Sequence, residues 1–278
     1  MDFDTVPASN YSLPDLVKLL NRGFEDYFIP ILFNIDMFSN MLRKDGIDLA
    51  DSRVLIANDQ ACGIALIAYR RPLRASRLAA MGIARETRGK GAGSWFMKEL
   101  VREACERGDH EMELEVIEQN EPAVKLYRKY GFESIRRLVG YTLRGEDTQD
   151  NESSELHEIS LPEVSRLISQ YGLPDLPWQL SGDSVTQMNP PPLAYRRGQA
   201  YIVISNPEAE HVVIWSLLVA PEARGKRLGT ELLKRVVAQH TGKTWHVPAI
   251  LPEELGKVFE RAGFEREKLS QWQMRLGL

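Results

Sequence analysis

The chain has 278 residues, 43% hydrophobic and 27% charged, a balance that fits a soluble globular protein long enough for two cores. Its formal charge of −4 and pI near 5.8 give no basic field of the kind nucleic-acid binding requires, and no apolar run of about 18 residues predicts a membrane span. Cys62 and Cys105 form no disulfide framework and read as reduced packing residues, the five histidines have no metal-ligand spacing, and the start MDFDTVPASN is no leader. A cytoplasmic protein without metal, membrane or nucleic-acid partner is expected.

In chain order, Leu13 to Tyr27 and Ile35 to Lys44 read as helices, the first capped by Ser12. Arg53 to Ala57, Cys62 to Tyr69 and Arg77 to Ala84 read as a strand meander, with Asn58-Asp59-Gln60 as a polar turn. The glycine-rich turn RGKGAG then leads into a helix from about Ser94 to Arg107, with Trp95, Phe96, Leu100, Val101 and Cys105 on its apolar side. Met112 to Ile117 alternates as a strand, Pro122 to Tyr130 is a helix opened by proline and closed by Gly131, and Ile135 to Leu143 is a closing strand.

Arg144 to Glu155 is polar, acidic and aperiodic, a linker by composition. Beyond it the order repeats. Ala200 to Ser205 and Val212 to Ala220 are strands, RGKRLG enters the helix Thr230 to His240, and Trp245 to Val247 is a strand. Pro252 to Arg261 is a helix and Phe264 to Leu276 a strand. Setting VAPEARGKRLG under IARETRGKGAG pairs Ile83 with Val219 and Arg88 with Arg224, and setting ERAGFE under RKYGFE pairs Tyr127 with Phe259. This is one duplicated domain, its period too long for a solenoid. Two covalently joined copies stand in for a homodimer, which fits a monomer.

The turn Arg88-Gly89-Lys90-Gly91-Ala92-Gly93 lies between strand and helix, where backbone N–H groups and the helix dipole can cradle a diphosphate. It has neither the dinucleotide spacing GxGxxG nor the nucleotide-loop spacing GxxxxGK[ST]. About thirty residues on stands Asn120-Glu121-Pro122-Ala123-Val124-Lys125-Leu126-Tyr127-Arg128-Lys129-Tyr130-Gly131-Phe132. Together, R-x-x-G-x-G and N-x-x-A-x-x-L-Y-x-x-x-G-F resemble motifs A and B of the GNAT superfamily of N-acetyltransferases.

The resemblance covers about residues 1 to 144 and, more weakly, 155 to 278. It implies an α/β (α+β) class built of two tandem GNAT-type domains, each a mixed, mostly antiparallel, splayed sheet flanked by helices: 1–144 catalytic, 145–154 linker, 155–278 degenerate. It further implies acetyl-CoA as cosubstrate, with its pyrophosphate on Arg88, Gly89, Lys90, Gly91, Ala92, Gly93 and Ser94, Asn120 as a further contact, and the backbone near Met81 and Ile83 along the pantetheine arm. The proline often found two residues after Ile83 is Arg85 here. The acceptor is then a small-molecule or peptide amine.

Acetyl transfer to an amine needs a neutral nucleophile, support for the oxyanion, and a proton for the departing thiolate. A lysine-like amine with pKa about 10.4 is neutral about once in 2,500 molecules at pH 7, an α-amine of about 7.8 roughly one time in seven, so a base matters more for the first. By the resemblance, Tyr127 protonates the CoA sulfur and Glu115 is the base, usually through water. Taken as residues, Tyr127 shares an apolar helical position with Val124 and Tyr130, Glu115 sits in a row with Glu111 and Glu113 that would ordinarily be solvated, and Asn120 is also a helix cap. Phe24, Asp26 and Tyr27 fall where the family's acceptor cleft is walled, although an aromatic helix face also serves as core.

In the second half Arg227 replaces Gly91, Phe259 replaces Tyr127 and Pro252 stands at the place of Asn120. A left-handed residue there is costly for arginine, and the phenolic proton is gone, so one working site in the first half is expected. The competing reading is a non-catalytic acyl-CoA-binding regulator.

Overall fold

The computed structural model describes residues 2–144 and 156–278. The expected linker 145–154 lies outside them. Two compact units form, Met1–Ile135 with Trp272–Leu278, and Arg136–Gln271.

The first unit runs β1 (Phe3–Pro7), α1 (Leu13–Gly23), α2 (Ile35–Asp45), β2 (Ile47–Ala57), β3 (Gln60–Arg70), β4 (Ala75–Ile83), α3 (Ala92–Arg107), β5 (Glu111–Ile117) and α4 (Glu121–Lys129). The second runs β6 (Glu133–Arg144, its first three residues in the first unit), β7 (His157–Ile159), α5 (Leu161–Tyr171), α6 (Gly182–Thr186), β8 (Leu193–Arg197), β9 (Ala200–Ile204) and β10 (His211–Val219). It continues with α7 (Leu228–Gln239), β11 (Thr244–Pro252), α8 (Lys257–Arg261) and β12 (Glu265–Gly277), whose last residues return to the first unit.

In the first unit β1 to β4 form an antiparallel meander and α3 crosses over to the parallel strand β5. The β4–β5 ladder spans only Ala75–Leu78 against Glu111–Leu114, so the two strands part beyond Leu78. Met112, Leu114 and Val116 face α3 and α4, packing with Phe96, Leu100 and Tyr127, while Leu16 and Leu20 of α1 and Phe38 of α2 cover Val54, Ile64 and Leu66 in a separate cluster. Each such buried aliphatic chain contributes about 1.5–3 kcal/mol relative to exposure. Ser12 caps α1 by accepting from the Asp15 N–H, as its sequence position predicts.

Several expectations are corrected. The first helix stops at Gly23 instead of Tyr27, because Gly23 packs backbone to backbone on β4: a Cβ there would sit 2.7 Å from the Gly82 Cα. Cys62 is buried as read, but Cys105 is exposed. The region Pro252–Arg261 is a strand end and a 3-10 turn before the short α8. β1 and the elements from β7 to β8 were not read from the sequence, although α5 carries a Ser160 cap, a proline in its first turn and an apolar face with Val164 and Ile168.

The closing strands also join units other than those sequence order suggests. Tyr141 of β6 stacks on Phe259 at 5.6 Å, and β6 pairs antiparallel with β11. In the first unit Met274, Trp272 and Leu276 enter the core with Phe96 and Leu114, and Arg275 donates to Glu113 at 2.5 Å. When two sheets share one plan, strand propensity cannot specify which of them a closing strand completes; the side-chain partners do.

Candidate active site

The turn after β4 is built by two left-handed glycines, Gly89 (φ +74) and Gly91 (φ +86), the second being the N-cap of α3. A Cβ added at either would meet nothing within 4 Å, so the backbone there faces open space. No side chain caps the helix, and its first intrahelical donor is the Trp95 N–H, bonded to Gly91 O. The N–H groups of Ala92, Gly93 and Ser94 therefore stand at the positive end of a helix of sixteen residues without capping partners, the arrangement that receives a phosphate.

Gly93 is tight: a Cβ would lie 3.4 Å from Ile83, 3.5 Å from Leu126 and 3.9 Å from Met81. The half-buried Met81 and Ile83 thus end β4 against the α3 glycine and α4, beyond the point where β5 has diverged. Backbone groups there can take an extended polar arm, and the residues fit a CoA ester.

Arg88 anchors the turn to the rest of the first unit. Its guanidinium donates to Ile83 O at 2.8 Å, Gly23 O at 2.9 Å and Glu25 O at 3.2 Å, tying β4 to the end of α1. The side chain is thus engaged by backbone carbonyls, not directed at the turn. Ser94 Oγ is likewise engaged, by Tyr130 at 2.8 Å and by the Lys129 ammonium at 2.8 Å. Lys129, absent from the sequence-based set, thereby joins Lys90 as a cation near the first turn of α3; one helix spacing from Lys125 was its only signal.

Three sequence candidates converge. Asn120 accepts from the Ala123 N–H as cap of α4 and also hydrogen-bonds the Tyr27 phenol through its side chain. Tyr127 is buried; burial, then Tyr27, holds the Tyr127 hydroxyl well above its ordinary pKa. Burial also raises Tyr27, and the Asn120 hydrogen bond offsets part of that rise. Tyr127 packs edge-on to Phe132 at 5.9 Å and Phe24 edge-on to Tyr27 at 4.8 Å. Phe24 and Tyr27 belong to the loop after α1 and not to a helix face. Asp26 stays apart, exposed, left-handed (φ +59) and paired with Arg85 at 3.2 Å.

Glu115 is no solvated surface charge. Its carboxylate accepts from Arg77 Nε at 2.9 Å and Nη2 at 2.6 Å, with both side chains under 5% exposed and Asp45 4.0 Å from the same guanidinium. Glu113 is buried too, its pKa raised by burial against the pull of Arg275. Glu113 and Glu115 of that row face inward because Arg275 and the buried Arg77 compensate them. Arg77 was missed: nothing in the alternation of its strand marks it as a partner for a residue 38 positions away.

The second unit repeats this construction. Arg224 donates to Val219 O at 3.1 Å and Tyr171 O at 2.6 Å, as Arg88 does to its own strand and first helix. Phe259 meets Phe264 edge-on at 5.7 Å, and Gly263 (φ +93) answers Gly131 (φ +88). Gly229 sits against Val219, Val258 and Leu217 as Gly93 does against Ile83, Leu126 and Met81. Arg227 nevertheless adopts the left-handed cap (φ +61). The turn keeps its conformation with arginine in it, at the expected backbone cost of about 1–2 kcal/mol.

A mixed, largely antiparallel sheet that splays beside a glycine-built turn and an uncapped helix is a GNAT-type arrangement. The chain matches the acetyltransferase (GNAT) family over residues 14–132 and 195–252, more than half its length, and belongs to that family. The two matched segments fall in the two halves, as a tandem duplication requires. The family transfers acetyl groups from acetyl-CoA to amines. Among solved structures, a GCN5-related N-acetyltransferase from Sphaerobacter thermophilus is 15% identical with a TM-score of 0.70, covering 99% of this chain and 95% of that one. A putative acetyltransferase from Pyrococcus horikoshii is 14% identical (TM-score 0.66; 100% and 89% covered), and a tandem GNAT protein from the clavulanic acid biosynthesis pathway is 14% identical (0.67; 99% and 98%). Likeness at this identity shows the fold. No curated protein sequence matches the chain. Among the described residues, no helix is long and apolar enough to cross a membrane.

Proposed function

We propose that the first unit is the catalytic half, an N-acetyltransferase that passes acetyl from acetyl-CoA by direct attack to a primary amine, on a small molecule or a peptide. One observation carries this reading: Tyr127, Tyr27 and Asn120 converge in a unit whose α3 N-terminus is uncapped and glycine-built.

Acetyl-CoA, when bound, supplies the acetyl group as an activated thioester. The N–H groups of Ala92, Gly93 and Ser94, with the ammonium groups of Lys90 and Lys129, compensate the pyrophosphate charge. Gly89 and Gly91 leave the approach open, Met81 and Ile83 line the arm, and Asn120 holds Tyr27 beside it. Tyr127, its pKa raised by burial, remains a phenol at neutral pH and delivers its proton to the leaving sulfur. Glu115 takes the amine proton through water while Arg77 fixes its carboxylate. Phe24 and Tyr27 wall the acceptor cleft, and Asp26 is an outer contact for a cationic amine. In this account residues 155–278 are a degenerate copy, and the duplicated chain works as a cytoplasmic monomer.

The test is a panel of primary amines assayed with acetyl-CoA by thiol release, with mass spectrometry of the products. At least one acetylated amine is expected. Saturable CoA binding with no thiol release across the panel would instead support the non-catalytic acyl-CoA binder.

A further inference from the structure

Five of the eight large hydrophobic side chains exposed among the described residues fall within positions 28–37, from the loop after α1 into the first turn of α2: Phe28, Ile29, Leu32 (79% exposed), Ile35 and Met37. Exposed apolar residues scattered singly need no explanation, but such a concentration marks an interaction surface. The loop that carries them is held at both ends. Arg88 donates to the carbonyls of Gly23 and Glu25 at one end, and at the other Asn21 donates to Phe33 O at 2.9 Å and accepts from the Phe33 N–H at 2.8 Å. Phe24 and Phe33 meet at 6.4 Å and pack on the core beneath α1. With these two rings turned inward, the remaining apolar side chains are presented outward on a fixed base.

This surface is continuous with the site. Phe28 packs edge-on against Tyr27 at 5.6 Å, and Tyr27 is the phenol bonded to Asn120. Its charge has one sign: positions 23–42 contain Glu25, Asp26 and Asp36 and no lysine, arginine or histidine. Asp26 is paired with Arg85, while Glu25 and Asp36 are exposed and form no ion pair among the described residues. The complementary occupant is apolar and arrives as a cation, as about six in seven α-amines do at pH 7. Small ligands bind where about 70–90% of their surface is enclosed, which side chains pointing outward cannot give, whereas a peptide brings side chains of its own to cover them.

We propose that residues 28–37 are the docking surface for the N-terminal segment of a peptide with apolar residues behind its α-amine, which the surface delivers to the first unit as acceptor. The acceptor role rests on catalysis in that unit; docking does not.

The experiment uses the full-length protein with three amines: the amidated hexapeptide Met-Leu-Phe-Ile-Ala-Gly, its amidated polar counterpart Ser-Gly-Asn-Gln-Ser-Gly, and 2-phenylethylamine. Binding is measured by calorimetry with CoA present, turnover by thiol release from acetyl-CoA. The apolar peptide should bind at least about tenfold tighter than the polar one and exceed both other amines in kcat/KM by at least as much. Leu32→Ser and Ile35→Ser, both at exposed positions, should each raise the Kd and KM of the apolar peptide at least about fivefold without lowering kcat, the pattern of lost uniform binding. Leu73→Ser, at an exposed leucine in the turn before β4, should change neither. Tight binding that depends on Leu32 but gives no thiol release would overturn the acceptor role and leave docking standing. Equal affinity for the two peptides, 2-phenylethylamine matching the apolar peptide in kcat/KM, or a Kd unmoved by Leu32→Ser would each overturn the proposal while leaving catalysis on other amines intact.

Discussion

The two units share the same backbone devices and differ in what those devices hold. In both, an arginine after the fourth meander strand ties that strand to the end of the first helix, a left-handed residue opens the central helix, and an aromatic residue five positions before a phenylalanine packs on it. In the first unit that aromatic is Tyr127, a buried phenol; in the second it is Phe259, and it lines an apolar chamber. Conformation survives duplication more readily than chemistry, because the backbone tolerates arginine for glycine at moderate cost whereas phenylalanine cannot supply a proton.

The comparison breaks most easily at Glu115. Glu115→Gln leaves buried Arg77 without its principal counter-ion and should cost about 3–5 kcal/mol in stability, read by denaturant unfolding. If Glu115 also accepts the amine proton, the pair Glu115→Gln with Arg77→Met recovers stability without recovering turnover. Recovery of both would leave the carboxylate a purely structural role.

A smaller effect makes the first unit resemble the second. Gly91→Arg should fold, since Arg227 shows the conformation is open to arginine, with a loss of about 1–2 kcal/mol. Acetyl-CoA affinity, measured by calorimetry, should fall by roughly tenfold as the side chain occupies the space before the helix N-terminus. Unchanged affinity would place the cofactor elsewhere.

The smallest effect concerns alkaline pH. Burial raises the pKa values of Tyr127 and Tyr27 in the folded protein, so the unfolded chain releases its phenolic protons first. Their contribution is complete below the unfolded value of about 10 and is lost as pH rises toward the folded values. Tyr127→Phe should flatten the stability profile above that pH, as followed by thermal unfolding at stepped pH; an unaltered slope would mean the phenol is not buried.

Much of this site could be read in the sequence because its residues lie close together along the chain. RGKGAG and the run from Asn120 to Phe132 are local patterns, and they led to the uncapped helix, Tyr127 and Asn120. The meander and the repeat were legible for the same reason. Contacts made across the fold were not. No local pattern places Arg77 beside Glu115, or the Arg88 guanidinium on the carbonyls of Gly23 and Ile83. At Arg227 the sequence marks a costly left-handed residue, but not that the turn keeps its conformation all the same.

The central claim is that one unit does all the chemistry, and it is tested most directly by assaying Tyr127→Phe and Phe259→Leu on the same amine after circular dichroism confirms that both are folded. The account predicts that Tyr127→Phe lowers turnover by about 100-fold or more with little change in acetyl-CoA affinity, while Phe259→Leu keeps wild-type turnover. Lost turnover in Phe259→Leu with full activity in Tyr127→Phe would contradict it and move the active site to the second unit.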